Sequence, residues 1–151
     1  MAPDKTRILR FSRFHPGLPR RFAFLGFELY WERDRAGQLR VMKRTARKKL
    51  QRSERRIKEW VRANRHLPGS AFIKALNRRL VGHYNYFGLR GNMNALYRFY
   101  SRAIRCAFKW LNRRGGKRSS FTWRQFDAAL KRLGVARPRI TEKQREHVVF
   151  A

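Results

Sequence analysis

The chain has 151 residues and carries 39 Lys and Arg against nine Asp and Glu, which gives a formal charge of +30. A positive field of this size attracts polyanions, so the composition predicts a nucleic-acid partner. Because 42% of the residues are hydrophobic and 14% are aromatic, the composition excludes a disordered basic tail and predicts a folded domain.

Cysteine, histidine and hydropathy exclude further classes. The single Cys106 excludes an internal disulfide and a Cys-rich zinc site, and the four His residues lack metal-ligand spacing. No apolar run approaches the roughly 20 residues of a membrane span, and no signal-peptide pattern follows Met1. We therefore expect no metal, no cofactor and no membrane association, and we expect the cytoplasm as the location.

The first predicted element is a β-hairpin. The aromatic run from Phe22 to Trp31 and the alternating segment 38–44 flank residues 34–37, Asp-Arg-Ala-Gly, which have the composition of a turn. An isolated two-stranded hairpin is marginal in water. It must therefore pack on the helices that follow or on another chain.

The first helix is predicted from Thr45, as its N-cap, to about Arg65. One side is apolar and consists of Ala46, Leu50, Ile57 and Val61. The opposite side is basic, with Lys48, Arg55 and Arg62 seven residues apart. A solvated charged face is the plain alternative, but the scarcity of acidic residues favours contact with phosphates.

Two further helices are predicted, one after the linker 67–70 with Ser70 as N-cap, and one from Asn92 or Asn94 to about Arg113. The last of these is apolar nearly all round, apart from one line of cations, Arg98, Arg102, Arg105 and Lys109. Because no acidic partner accompanies the line, phosphate contact is again favoured over simple solvation.

Three residues near the end of the second helix allow a structural and a functional interpretation. His83 and Tyr84 lie on the apolar side, so we interpret both as core residues rather than as ligands or catalysts. For Tyr86 the two interpretations stay equally open, because an exposed aromatic beside Arg residues could stack on a splayed RNA base.

The remaining residues form a basic loop, a short helix and a tail. The loop 113–120 is predicted to be a mobile arm that folds onto RNA, with a simple connector as the alternative. Thr122 is the predicted N-cap of a short amphipathic helix, and Gly134 ends it. The residues after Gly134 are expected to run in extended form along the bundle.

Several segments, taken in chain order, resemble one protein family. The sequence LNRRLVGHYNYF at 76–87 resembles the core of the maturase-specific domain, also called domain X or thumb, of group II intron reverse transcriptases. His83 stands where that family usually has Trp. Further segments resemble the end of the palm and the C-terminal run of bacterial members without an endonuclease domain: DKTRI at 4–8, FLGF at 24–27, WLNRR at 110–114, FTW at 121–123 and RPRI at 137–140.

The resemblance implies a mainly α fold, with an N-terminal β-hairpin followed by a three- to four-helix thumb-like bundle. It divides the chain into a palm-remnant segment with the hairpin at 1–44, a maturase-specific helical domain at 45–114, and the loop, short helix and tail at 115–151. Compared with the family, the chain begins just after the catalytic strands, so we expect the fingers and most of the palm to be absent.

The spacing of the acidic residues indicates whether the chain could have polymerase activity. A reverse transcriptase holds two metal ions with clustered aspartates, including a Tyr-x-Asp-Asp pair, whereas no two of the nine acidic residues here are adjacent. We therefore expect no catalytic residue and no enzyme activity.

The resemblance implies binding to structured group II intron RNA, which assists folding and splicing of the intron. The alternative is the non-catalytic half of a split reverse transcriptase, joined through the hairpin to a separate polymerase half or to a second copy, or a truncated remnant of such an enzyme. The RNA-binding candidates are Lys43, Arg44, Arg47, Lys48, Lys49, Arg52, Arg55, Arg62, Arg78, Tyr86, Arg98, Arg102, Arg105, Lys109, Arg113, Arg114, Lys117 and Arg118.

Overall fold

The computed structural model describes residues 11, 14, 21–113 and 120–142. In this part of the chain three strands precede four helices: β1 (Arg21–Phe24), β2 (Phe27–Arg33), β3 (Leu39–Thr45), α1 (Arg47–Ala63), α2 (Gly69–Phe87), α3 (Met93–Asn112) and α4 (Trp123–Arg132). The fold is therefore mainly α with a small sheet at its start, which confirms the predicted class. Among the described helices, none is long and apolar enough to cross a membrane.

The predicted hairpin corresponds to β2 and β3, but the prediction of a single strand over the aromatic run was wrong. β1 and β2 pair antiparallel with Phe24 opposite Phe27, so Leu25 and Gly26 form a two-residue turn. Their φ angles of +48° and +84° are both positive, as a type I′ turn requires. A left-handed conformation costs a residue with a side chain roughly 1–2 kcal/mol. Leu25 is therefore an unusual turn residue, and its side chain carried no signal for a turn at this position.

The helices supply the core. Apart from Pro138, every buried apolar side chain among the described residues belongs to α1, α2, α3 or α4. Phe72, Leu76, Leu80 and Tyr84 of α2 are fully enclosed, because their spacing of three or four residues places them on one side of the helix. The bundle is thus organised around α2 and α3, and the sheet lies outside its centre.

Two predicted helix caps, Thr45 and Ser70, were wrong, and the third, Asn92, is correct in position only. Thr45 is the last residue of β3, where its N–H donates to Asn92 Oδ1 at 2.8 Å and its hydroxyl accepts from Asn92 Nδ2 at 2.7 Å. Asn92 is the N-cap residue of α3, as predicted, but its side chain makes no capping hydrogen bond, because its amide donates to Thr45 Oγ1 and to Phe87 O at 2.8 Å. Ser70 lies inside α2, whose N-cap position is occupied by Pro68.

The two ends predicted for α4 are confirmed. Thr122 accepts a hydrogen bond from Gln125 N, and the Gln125 side chain accepts one from Thr122 N, which together form a capping box. After the helix, Gly134 takes a φ of +64° and Val135 N donates to Leu130 O at 3.0 Å. This is the Schellman arrangement that glycine favours at a helix end.

Residues 135–142 run back along α2, as the sequence suggested, and we call them the strap. Ala136 N donates to Asn77 Oδ1 at 2.8 Å, and both Thr141 N and Glu142 N donate to Gly88 O. A side chain at Gly88 would collide with Tyr84 O and with Thr141, so the close approach of the strap requires glycine there.

The end of the strap joins the bundle to the sheet. The Glu142 carboxylate accepts hydrogen bonds from Arg90 N at 2.8 Å and from Lys43 Nζ at 3.0 Å. These contacts, with the Arg90 hydrogen bond as the main cause, hold the pKa of Glu142 below its usual range. The strap therefore contacts α2, the loop after it and β3.

Candidate nucleic-acid interface

The outer side of α1 is basic, as predicted. Leu50, Ile57 and Val61 are buried against the bundle, and on the opposite side Lys48, Arg55 and Arg62 are exposed. Arg47 and Arg52 are exposed as well, while Lys49 is half-buried with its aliphatic stem beside Gly26. The exposed side of α1 consequently offers cations to solvent over about 25 Å, the length of a 17-residue helix.

The outer side of α3 carries the predicted line of cations, with one correction. Arg98, Arg102, Arg105 and Lys109 are all exposed, opposite the buried side chains of the helix. Arg98 does have an acidic partner, because its Nε donates to Glu54 Oε1 of α1 at 2.8 Å. The sequence could not show this pair, whose members are 44 residues apart.

α1 and α3 lie side by side and run in the same direction. Glu54 of α1 contacts Arg98 near the start of α3, and Arg62 near the end of α1 contacts Trp110 near the end of α3. Lys58 lies one helical turn from both Glu54 and Arg62, so it falls on the same side of α1. The seam between the two helices is thus bordered by cations from both.

Carboxylates in the described residues are concentrated at the sheet. Glu28 pairs with Arg44 at 2.6 Å and lies 3.9 Å from Arg21. Asp34 pairs with Arg40, and Glu142 pairs with Lys43. Two of the predicted RNA-binding cations, Lys43 and Arg44, are therefore already engaged with carboxylates at the sheet end of the molecule.

The aromatic residues near the end of α2 are placed by the fold. Tyr84 is fully buried, its hydroxyl donates to Ala136 O at 3.2 Å, and burial raises its pKa. His83 stacks on Phe99 with ring centroids 3.6 Å apart, and burial lowers the pKa of His83 to about 4. Both are structural residues, as the sequence indicated.

Tyr86 has a structural contact and an exposed ring. Its side of α2 faces the sheet, where its hydroxyl donates to Leu25 O at 3.2 Å and its ring lies 5.9 Å from that of Phe27. The residue is nevertheless 54% exposed. Arg78 is exposed on the side of α2 opposite the core, so the fold does not bring it to the seam between α1 and α3.

One cluster was missed by the sequence analysis. The guanidinium carbons of Arg62, Arg65 and Arg113 lie 5.8, 5.1 and 5.8 Å from the centre of the Trp110 ring. Nearby, Arg79 lies over the Trp60 ring at 4.7 Å. Trp110 and Arg113 are three residues apart in the sequence, whereas Arg62 and Arg65 are far from both. The sequence therefore carried no signal that Arg62 and Arg65 contact this ring. Arg114, Lys117 and Arg118, and the predicted basic arm around them, lie outside the described residues.

Within the described part of the chain, no group of three or more His, Cys, Asp and Glu side chains is arranged to hold a metal ion. The chemistry that these residues offer is that of fixed positive charge, hydrogen-bond donors and aromatic rings. Such groups bind anions.

The helical part of the chain matches a known domain family. The family model described as group II intron, maturase-specific domain matches residues 50–127, from α1 into α4 and just over half of the chain. The chain belongs to this family. It therefore has a maturase-type role in group II intron splicing, and the matched domain is the non-catalytic one.

Neither the comparison with curated proteins nor that with solved structures gives a significant match. The family match begins after the sheet, so the resemblance of the first 44 residues to a polymerase palm stays a prediction.

Proposed function

We propose that this chain binds structured intron RNA through the basic surface formed by α1 and α3, and that this binding assists folding and splicing of the intron. The observation that carries the proposal is the contrast between the unpaired cations of α1 and α3 and the paired cations at the sheet. Arg55, Arg102, Arg105 and Lys109 take part in none of the ion pairs among the described residues. At the sheet, by contrast, four cations are paired with carboxylates: Arg21, Arg40, Lys43 and Arg44.

The proposed contacts are to the RNA backbone and to its shape. The major groove of an A-form helix is deep and narrow, so proteins contact duplex RNA mainly through phosphates and 2′-hydroxyls. A rigid surface with cations on two parallel helices suits that mode of binding. Under this proposal the protein needs no catalytic group, because group II intron RNA supplies the splicing chemistry by itself.

The test is the salt dependence of RNA binding. Each phosphate neutralised on a duplex contributes about 0.9 to the slope of log K against log salt. Replacing Arg102, Arg105 and Lys109 together with Gln should therefore reduce the slope by about two to three units, and affinity should fall similarly for different RNA sequences.

The matched control removes the same charge elsewhere. Replacing Arg33, Arg35 and Arg40 with Gln changes the turn end of the β2–β3 hairpin, about 20 Å along the strands from the contact of Phe27 with α2. This control should leave the slope within one unit of the natural protein. Equal losses in the two triple variants would mean that the net charge, not the α3 surface, drives binding.

Splicing tests the second half of the proposal. A group II intron precursor transcript should splice faster with the protein than without it at low magnesium concentration, and the α3 triple variant should lose this effect. Tight RNA binding without any acceleration of splicing would reject assistance while leaving RNA binding intact.

A second candidate function rests on the sheet. Phe11 covers Phe22 and Trp31, with ring centroids 4.8 and 5.2 Å apart, but Phe24 and Leu25 are 60% and 70% exposed at the β1–β2 turn. In a split reverse transcriptase this apolar turn would contact a separate polymerase half or a second copy.

Two measurements address that candidate. The purified chain alone should show no primer extension on an RNA template with magnesium, and incorporation above a protein-free control would contradict the absence of catalytic residues. Sedimentation of the natural protein and of Phe24→Asp would separate self-association through the turn from a monomer, since only a contact at the turn is sensitive to that charge.

A further inference from the structure

Three arginines from separate parts of the chain surround the ring of Trp110. Arg62 comes from the last turn of α1, Arg65 follows that helix, and Arg113 is the C-cap residue of α3. All three guanidinium groups lie within 5.8 Å of the centre of one indole ring. No two of the guanidinium carbons can therefore be more than about 12 Å apart, which is twice the cation–ring distance.

Two local effects hold these cations in place. The indole ring attracts each guanidinium through its negative face, and Trp is the strongest aromatic partner for this contact. The ends of α1 and α3 also carry partial negative charge, which favours cations in the last turn. Both effects fix the positions of the guanidinium groups before any ligand arrives.

No carboxylate of the described residues lies within ion-pair distance of the cluster. None of the ion pairs there includes Arg62, Arg65 or Arg113. Three like charges at this separation repel one another, and the repulsion falls when an anion joins them. The cluster should therefore attract an anion. In contrast, Arg98 is already paired with Glu54, and Arg44 is paired with Glu28.

The geometry also indicates the form of the anion. A guanidinium group that lies over a ring keeps its N–H edge free, and that planar edge matches two oxygens of a phosphate. Because no two guanidinium carbons are more than about 12 Å apart, neighbouring phosphates of one strand can contact them together.

We propose that Arg62, Arg65, Arg113 and Trp110 form a site that holds consecutive backbone phosphates of one RNA strand. The inference rests on the proposed function and makes it specific: most of the basic surface contributes diffuse attraction, while this site fixes one strand at the ends of α1 and α3.

The first experiment compares two triple variants of equal charge. Arg62→Gln, Arg65→Gln and Arg113→Gln are combined in one protein, and the α3 triple at Arg102, Arg105 and Lys109 is the control. Both should lose about two to three units of salt slope. At a fixed low salt concentration the cluster triple should lose at least about tenfold more affinity for RNA than the α3 triple.

The second experiment uses the ring itself as a reporter. Titration with a single-stranded oligouridylate of about eight nucleotides should change the tryptophan fluorescence of the natural protein. The change should disappear in Trp110→Phe, which removes no charge and keeps an aromatic ring, and in the cluster triple. It should persist in Arg79→Gln, which removes a guanidinium from Trp60 instead.

The outcomes separate the two levels of the argument. If the natural protein does not bind RNA, the proposed function fails. If it binds but the two triples lose equal affinity and Trp110→Phe keeps the fluorescence change, only the phosphate site fails. Saturation by uridine monophosphate at the same phosphate concentration as the oligomer would overturn the requirement for consecutive phosphates. Thermal melting of each variant excludes misfolding as the cause.

Discussion

The three-stranded sheet and the helical bundle are stabilised in different ways. In the bundle, Phe72, Leu76 and Tyr84 are removed from solvent entirely. In the sheet, Phe27 and Leu29 are only half-buried, and Phe24 is 60% exposed. Apolar burial of about 25 cal/mol per Å² is the main favourable term in folding, so most of the stability of the molecule belongs to the bundle.

The sheet depends on a few contacts with its neighbour. Thr45 is held by Asn92, Phe27 packs against Phe87, and Lys43 pairs with Glu142 of the strap. The family match likewise starts inside α1 and does not include the sheet. We therefore expect the bundle to fold without the sheet, and the sheet to unfold when these contacts are removed.

The largest expected difference between the two regions comes from truncating a phenylalanine. Phe72→Ala, at a fully buried position of α2, should lower the free energy of unfolding by about 3 to 5 kcal/mol. Phe24→Ala in the sheet should change it by less than about 0.5 kcal/mol, because that ring is already largely in water. Urea unfolding of both variants measures the contrast, and similar losses would remove the distinction between the regions.

The next test cuts the link between the regions. Asn92→Ala removes an amide that satisfies Thr45 N, Thr45 Oγ1 and Phe87 O, and Asn92 is only 1% exposed. Leaving these groups unpaired should cost about 3 kcal/mol, and hydrogen exchange of β3 should accelerate more than that of α2. The exposed Asn94→Ala is the matched control. Uniform acceleration in sheet and bundle would contradict a dependent sheet.

A third test uses pH to weaken the bundle through His83. Burial lowers the pKa of His83 to about 4, whereas an unfolded His titrates near 6.5. Above pH 6.5 the residue is neutral in both states and costs nothing. Between pH 6.5 and 4 the unfolded chain binds a proton that the folded chain does not, so stability should fall, by on the order of 2 kcal/mol.

The control for this pH effect is His83→Phe. The substitution keeps a ring against Phe99 and removes Nε2, a buried nitrogen without a hydrogen-bond partner among the described residues. Protonation of other groups, including Glu142, also lowers the free energy of unfolding in acid. The quantity to measure is therefore the difference between the pH profiles of the natural protein and of His83→Phe. Parallel profiles would show that His83 titrates normally in the folded protein.

The smallest expected effects come from the ion pairs. Glu54→Gln in the bundle changes a carboxylate whose residue is 8% exposed and that accepts from Arg98 at 2.8 Å, so we expect a cost of about 1 to 2 kcal/mol. Glu28→Gln in the sheet breaks a more exposed pair and should cost less than about 0.5 kcal/mol. Melting temperatures in low and high salt measure both, and salt should reduce only the Glu28 effect.

The parts of the fold that follow from local pattern could be predicted from the sequence. The spacing of Leu50, Ile57 and Val61 predicted α1, and Thr122 marked the start of α4. The turn at Leu25 was missed, because Leu has no preference for a left-handed conformation. The cap at Thr45 was wrongly predicted, since its hydroxyl bonds instead with Asn92, 47 residues away.

In the candidate site, too, local features could be predicted and long-range contacts could not. Exposure of Lys48, Arg55 and Arg105 was predictable, because a helix places residues three or four apart on one side. The partner of Arg98 and the cluster at Trp110 depend on how α1 lies against α3. Helical periodicity gives the direction of each side chain but not which helices become neighbours, so these contacts needed the structure.

The strap has a consequence for the order of events during synthesis. Glu142 and its partner Lys43 are 99 residues apart in the chain. At about 5 to 20 residues per second, a ribosome needs roughly 5 to 20 s to pass from one to the other. During that interval α1, α2 and α3 can form and pack, while the contacts of Lys43 and Gly88 with the strap are still missing. Translation that stops before residue 142 should therefore release a chain with a formed bundle and a poorly attached sheet.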